Sequence, residues 1–445
     1  IIGIKYMEKT LHLVSLGCTK NLVDSEVMLG KLSDYKIIDD ASVADVIIVN
    51  TCGFIESAKQ ESINTVLDLD DERKEESVLV MAGCLSERYQ KELKEEMPEI
   101  DIFTGVGDYD KIDELVNEKR SQFSNQVFLT NENVDRVITG SSYHAYIKLS
   151  EGCNQACSFC AIPGFKGKLF SRTLASIIKE VTNLVSNGYY DFSFVSQDSS
   201  SFLRDHGIND GLEQLIDAIE KIQGVKSARI LYLYPSTTTL GLIDKIGNSK
   251  LFHSYYDMPL QHISQNVLKI MKRGKGSEKL KELMDHMKNH NDAFVRSTFI
   301  VGHPGETEED FEELCNYVRE YKFDRANVFS YSDEDGTDAF ERDDKVDQEI
   351  IDSRAEVLGD IIAKTTQEAL EKKLGQTIEV IVDGESTEHE YLLSAKDIVW
   401  APEIDGEIYI NDNELGDGVQ IKFGQIYKAK ITEIAGDKLL ATILK

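Results

Sequence analysis

Basic residues are scarce in this chain, where 49 Lys and Arg face 79 Asp and Glu and leave a formal charge of −30. Nucleic-acid affinity draws on cations that neutralise phosphates, so a chain this acidic repels a polyanion and attracts a basic macromolecule. No stretch reaches the roughly eighteen consecutive apolar residues that a membrane-crossing helix requires, so no membrane partner is expected. Proline is sparse, at 6 of 445 residues, and tryptophan occurs once. With 41% apolar and 29% charged residues, that excludes a proline-rich disordered chain and indicates a globular one of two or three domains. The segment Ile1–Thr10 lacks the apolar core and small-residue cleavage site of a secretory signal, which makes the cytoplasm the expected location. Seven cysteines in such a chain argue against a disulfide framework and for metal or redox chemistry.

The first third alternates short apolar runs with helical stretches. Leu11–Gly17, Asp45–Asn50 and Ser77–Ala82 read as strands, and Phe54–Leu69 and Ser86–Met97 as helices. This is βαβ order and predicts a parallel sheet. A cysteine stands at or just past each strand end: Cys18, Cys52 and Cys84, two of them directly preceded by glycine. The C-terminal strand ends of an open parallel sheet share one edge, so three residues separated by 34 and 32 positions are expected to converge there as metal ligands. The competing reading is three inert, buried cysteines.

Beyond a polar stretch at Asn131–Ser142, six strand candidates follow: Ala145–Leu149, Asp191–Ser196, Arg229–Tyr234, Tyr255–Leu260, Phe294–Val301 and Arg325–Tyr331. Helical segments lie between several of them, which predicts a partial (β/α)6 barrel whose reactive groups gather at the C-terminal strand ends. Ile350, Ile351, Leu358, Ile361 and Ile362 mark a packing helix after the acidic loop Ser332–Asp344. From Gln376 onward, short β-type runs broken by Gly and Asp predict a small antiparallel barrel of about five strands. That tail carries 14 acidic residues against 6 Lys and no Arg, which suits it poorly to phosphate. The acids around Asp397, Trp400, Glu403 and Asp405 are expected to bind a basic protein substrate.

Cys153, Cys157 and Cys160 form a C-x3-C-x2-C loop directly after the first barrel strand. A closed zinc site requires four ligands, and this loop supplies three. Three thiolates on a cubane cluster leave one iron open to the amino and carboxylate groups of S-adenosylmethionine, whose reductive cleavage yields a 5′-deoxyadenosyl radical. A non-enzymatic iron–sulfur carrier and a zinc protein are the competing readings; the first leaves the barrel and the open iron unused. Other strand ends offer polar groups to the site. Gln197 and Asp198 close the second strand, Gln261 and His262 the fourth, and Arg296 with Gly302 belongs to the fifth. An arginine can clamp a carboxylate, and glycine permits backbone approach to an adenosine. His262 and His303 read equally well as capping or packing residues, and Cys315 as core.

With these residues in place the chain resembles the methylthiotransferases over nearly its full length. The stretches Ser15–Asn21, Met258–Ser264 and Phe299–Glu306 are similar to the branch that modifies an aspartate of small-subunit ribosomal protein twelve; the other branch modifies a tRNA adenosine. Thr19 stands where that branch commonly has proline, and Lys166 and Lys168 where arginine is frequent. The resemblance implies an N-terminal methylthiotransferase domain over 8–135, a radical barrel with its connecting helix over 139–375, and a substrate-binding TRAM-like barrel over 376–445. It implies two [4Fe-4S] clusters, the second on Cys18, Cys52 and Cys84 carrying the sulfur, and S-adenosylmethionine as both methyl donor and radical source. The implied substrate is the basic ribosomal protein rather than nucleic acid, and the chemistry requires an electron donor and a sulfur donor as further partners.

Overall fold

The computed structural model describes residues 9–416 and 418–445. Glu8, the first residue of the predicted N-terminal domain, and most of the segment read for a signal lie outside them. Five strands, β1 (Thr10–Ser15), β2 (Lys36–Ile37), β3 (Val46–Thr51), β4 (Val78–Gly83) and β5 (Ile102–Phe103), form a parallel sheet in the order β2-β1-β3-β4-β5. β3 and β4 are buried at every position, as parallel strands covered on both faces must be. Their side chains divide by alternation: Val46, Ile48, Val78 and Val80 enter one core, Ile47, Val49, Leu79 and Met81 the other.

The middle of the chain opens with β6 (His144–Lys148). It continues through a two-stranded ladder, β7 (Ser150–Glu151) with β8 (Phe170–Ser171), to β9 (Asp191–Val195), β10 (Ser227–Ile230), β11 (Tyr255–Asp257), β12 (Phe294–Val301) and β13 (Arg325–Ser330). Parallel ladders join β6-β9-β10 and β11-β12-β13. The Leu233 amide donates to the Asp257 carbonyl at 2.8 Å and links the halves. No ladder joins β13 back to β6 among the described residues, so the six-stranded barrel stays open. The helix Gln348–Glu371 packs beside β13 through Ile351, Leu358 and Ile362, while Ile350 faces solvent.

β14 (Thr377–Glu385), β15 (Leu393–Asp397), β16 (Ile408–Asn413), β17 (Ile426–Ala435) and β18 (Lys438–Ile443) close a barrel in the order β14-β15-β16-β18-β17. Its ladders are antiparallel except β16–β18, which is parallel. The loop between β15 and β16 fits into the N-terminal mouth of the large barrel. Trp400 is 1% exposed, with its ring centroid 6.4 Å from that of Phe294 and the Arg325 guanidinium 5.3 Å over it. Asp405 accepts from the Tyr255 hydroxyl and the Ala401 amide at 2.8 Å each, and Asp397 pairs with Lys373 at 2.8 Å. This corrects the expectation that Asp397, Trp400 and Asp405 meet a substrate: a buried aromatic and two buried acids hold the tail against the barrel floor. Glu403 alone of that set is exposed.

Candidate active site

Cys18, Cys52 and Cys84 stand at the C-terminal edge of the adjacent strands β1, β3 and β4. The parallel register pairs Ser15 with Asn50 and Thr51 with Gly83, so the three chains leave the sheet at one level. Gly17 has φ +85°, and a Cβ there would stand 2.9 Å from the Cys52 sulfur, so the first loop folds over the second only with glycine. Asn21, one turn into the helix Thr19–Lys31, braces all three loops: its amide donates to the Leu16 and Thr51 carbonyls at 3.1 Å each, and the Cys84 sulfur lies 3.7 Å from its Oδ1. Burial pushes the Cys52 thiol up to about 11 and the Cys84 thiol to about 12, with the charges of neighbouring thiols adding. Cys18 moves the other way. Burial opposes its ionisation, but Lys20, the Asn21 amide and Lys166 draw it below the usual thiol value.

The second triad occupies the loop between β7 and β8, whose pairing closes the loop's two ends. The Cys153 amide donates to the Gly167 carbonyl at 3.1 Å, and the Leu169 amide to Asn154 Oδ1 at 3.1 Å. The Cys157 sulfur accepts from Arg273 at 3.4 Å and lies 3.4 Å from the Tyr234 hydroxyl; the guanidinium stacks 4.3 Å over that ring. Burial pushes Cys153 and Cys160 up to about 12. The Ser158 hydroxyl lies 3.0 Å from His303 Nε2, and the Ala339 amide donates to the Ser158 carbonyl at 2.8 Å, which sets the acidic loop beside the cysteines.

The other expected residues divide. Asp198 accepts from the Gln155 amide at 2.8 Å, from the Ser200 hydroxyl at 2.8 Å and from the Ser201 hydroxyl at 2.5 Å, which fixes the cysteine loop to the end of β9. Gln197 donates to Glu151, and its own Oε1 is buried without a partner; the Oε1 of Gln261 is likewise unpartnered. These two carbonyls, beyond the ends of β9 and β11 on either side of β10, are free to accept from a bound ligand. Arg296 is not placed among them. It sits two residues into β12, pairs with Asp257 at 3.3 Å and Asp405 at 3.4 Å, and lies about 16 Å short of the strand's C-terminal end. Its role is to join tail and barrel. Gly302 has φ +79°, and a Cβ there would lie 2.3 Å from Ile351, so its missing side chain admits the packing helix. His262 is fully buried and held down to about 3 by that burial, its Nδ1 accepting from the Ser264 amide at 3.0 Å; it is a packing residue. Cys315 lies in the core beside Leu314 and Val318. Asn21, Tyr234 and Arg273 were missed from the sequence because nothing local marks them as neighbours of a sulfur.

Among the described residues, Asp244, His286 and His290 form the one group whose ligand atoms all lie within 4.8 Å of one another, on outer helices. Neither cysteine triad closes to that distance. Zinc–thiolate bonds of about 2.3 Å would hold sulfurs roughly 3.8 Å apart, so the wider triads fit a cluster better than a single zinc ion.

Three thiols at the C-terminal mouth of an open parallel barrel, with unpartnered carbonyls beyond the ends of β9 and β11, define the radical S-adenosylmethionine class. Residues 147–318 match the Radical SAM superfamily, residues 10–105 the uncharacterized protein family UPF0004, and residues 374–444 the TRAM domain. The chain is 74% identical to the ribosomal protein uS12 methylthiotransferase RimO of Aliarcobacter butzleri, across 98% of each chain. It is 62% identical to that of a Sulfurovum species, across 98% of this chain and 99% of the relative. With that of Campylobacter jejuni it shares 54%, across 98% of each. It belongs to the RimO family of radical S-adenosylmethionine methylthiotransferases, whose chemistry uses [4Fe-4S] clusters and S-adenosylmethionine. The solved radical methyltransferase TsrM of Kitasatospora setae has the same fold at 14% identity, with a TM-score of 0.52 over 72% of this chain and 73% of that one.

Proposed function

We propose that this chain places a methylthio group on the β-carbon of an aspartate in ribosomal protein uS12. Cys153, Cys157 and Cys160 would hold one [4Fe-4S] cluster, and Cys18, Cys52 and Cys84 a second. When bound, the clusters and S-adenosylmethionine supply reductive cleavage to a 5′-deoxyadenosyl radical, a methyl group and the sulfur to be transferred. The observation that carries the reading is the buried network between the helix that follows Cys18 and the ladder that precedes Cys153: Lys148 at the end of β6 meets Asp24 of that helix at 2.5 Å and Glu151 at 2.8 Å.

The chain's own groups bind, orient and shelter. Arg273 and Tyr234 orient the Cys157 sulfur, and Asp198 holds the loop through Gln155. The free carbonyls of Gln197 and Gln261 would accept from the amino or adenosyl nitrogens of the bound cofactor. The tail seals the barrel floor, so substrate enters at the triads, and the three segments 8–135, 139–375 and 376–445 take the roles of sulfur carrier, radical generator and floor. Beside the cysteine loop stand the exposed acids Asp335, Asp338, Glu341 and Asp343 around the exposed Phe340. A basic ribosomal protein would be steered there, and tRNA phosphate repelled.

The test is anaerobic reconstitution with reductant, sulfide and S-adenosylmethionine, offering uS12 and tRNA in separate reactions read by mass spectrometry. A methylthio gain on an aspartate of uS12 is expected. The same gain on a tRNA adenosine, with none on uS12, would overturn the substrate assignment and leave the radical chemistry standing.

A further inference from the structure

The outer face of the large barrel carries a group of side chains that the radical chemistry leaves unused. The helix Leu240–Gly247, which follows β10, packs beside the helix Ser277–Lys288, which precedes β12. Leu242, Ile243 and Ile246 of the first and Leu283, Met284 and Met287 of the second enter the barrel core. Asp244 and His286 are left on the outer side, with side chains 49% and 30% exposed. The Asn289 and His290 amides donate to the His286 and Met287 carbonyls at 3.2 Å each, which carries the turn past the end of the second helix. His286 and His290 therefore stand one turn apart on one face, where residues four apart are neighbours.

Both imidazoles converge on one carboxylate oxygen. His286 Nε2 lies 2.7 Å from Asp244 Oδ1 and His290 Nε2 3.2 Å from the same atom. Among the described residues Asp244 pairs with no lysine or arginine, so these two rings are its only partners of opposite charge. A hydrogen-bonded histidine–carboxylate pair accounts for His286 and stops there. His290 Nε2 approaches that oxygen without making a hydrogen bond to it, and a nitrogen left over beside a carboxylate and a second imidazole is a ligand atom in search of a cation.

The packing around His290 fixes its ring in that position. A Cβ at Gly247 would stand 2.2 Å from His290 Nδ1 and 2.4 Å from its Cγ, so the glycine that ends the first helix admits the imidazole against the helix backbone. The three ligand atoms all lie within 4.8 Å of one another. Zinc bonds of about 2.0–2.1 Å at tetrahedral angles set ligand atoms about 3.3 Å apart, so His290 already fits and His286 has to withdraw by about 0.6 Å. Two imidazoles and one carboxylate oxygen are a zinc-type donor set with a fourth position open to water, whereas calcium and magnesium favour oxygen shells. The stability order of divalent metals places zinc above ferrous iron at such a site.

We propose that Asp244, His286 and His290 form a binding site for one divalent transition-metal ion of the zinc class, on the outer helices of the barrel and sharing no residue with either cysteine triad.

The experiment loads the anaerobically reconstituted full chain with zinc and removes loose metal by gel filtration. Zinc content is read by elemental analysis, and the ligand shell by X-ray absorption at the zinc edge. One retained zinc per chain is expected, with nitrogen and oxygen at about 2.0–2.1 Å and no sulfur at about 2.3 Å. His286→Ala and His290→Ala should each weaken zinc binding about a hundredfold or more, and Gly247→Ala, which alters no ligand but displaces the His290 ring, about tenfold. All three should cleave S-adenosylmethionine at the native rate, which reports an intact barrel. Zinc held by sulfur alone, no zinc retained by the native chain, or native retention by His290→Ala would overturn the site. Should a histidine variant lose cleavage through misfolding, the isosteric Asp244→Asn must still lose zinc, and retention there overturns the site equally.

Discussion

Cys153, Cys157 and Cys160 share one loop of eight residues, whereas Cys18, Cys52 and Cys84 arrive from three strand ends more than thirty positions apart. The first triad depends on local chain geometry, with its ends closed by a two-stranded ladder and one sulfur oriented by Arg273 and Tyr234. The second depends on sheet register, which brings three strands out level, and on a single side chain, Asn21, that ties their loops together. Their electrostatics differ as well. Arg273 donates directly to the Cys157 sulfur, while Lys20 and Lys166 act on the N-terminal triad through charge, drawing the Cys18 thiol down. The contrast teaches that one triad is set by its own short loop and the other by the sheet beneath it.

Removing the brace of the assembled triad should separate the two most sharply. Asn21→Ala strips donors from two carbonyls, costs about 2 kcal/mol and releases the three loops. Loss of N-terminal iron and of methylthiolated product is expected while radical-site iron is retained, checked by iron stoichiometry and mass spectrometry; full iron would break the contrast. Arg273→Met should act on the other triad alone, lowering the rate of S-adenosylmethionine cleavage about 10–100-fold, the usual cost of losing a group that orients a metal ligand. Cleavage at the unchanged rate would remove Arg273 from the site.

Smaller effects mark what lies outside both triads. Asp405→Ala removes acceptors from Tyr255, Ala401 and Arg296 at the barrel floor and should cost about 2 kcal/mol, seen as faster proteolytic release of the tail. The smallest concerns Glu306, which burial raises to about 7 although Arg354 stands 3.0 Å away. Below the ordinary glutamate value both folded and unfolded states are protonated there. Between that value and about 7 only the folded state keeps the proton, so stability falls as pH rises through this window. Glu306→Gln should flatten that fall, changing the thermal midpoint of the metal-free protein by about 2 °C across the window. An unchanged slope would assign it to other groups.

Much of this was legible in the sequence. The eight-residue loop is recognisable by its spacing alone, and the βαβ alternation set Cys18, Cys52 and Cys84 on one edge because parallel strands exit on one side. What escaped was long-range pairing. Trp400, Asp397 and Asp405 look like a docking surface in a tail rich in acid, yet Lys373, Tyr255 and Arg296 claim both acids from elsewhere in the chain. Arg296 was misread for the same reason, since its partner Asp405 lies 109 positions away. Lys166 stood out only as a lysine in place of arginine, and its place beside Asp24 and Glu151 became visible once the helix after Cys160 was packed against the N-terminal triad.

The central claim is that the two triads hold separate clusters with separate tasks. Its most direct test compares the native chain with two triple-alanine variants, one lacking Cys18, Cys52 and Cys84 and the other lacking Cys153, Cys157 and Cys160, each reconstituted anaerobically. Iron content and S-adenosylmethionine cleavage are measured on all three. Half the native iron in each variant is expected, with cleavage surviving only where Cys153, Cys157 and Cys160 remain. Native iron content in either variant, or cleavage surviving without Cys153, Cys157 and Cys160, would contradict it.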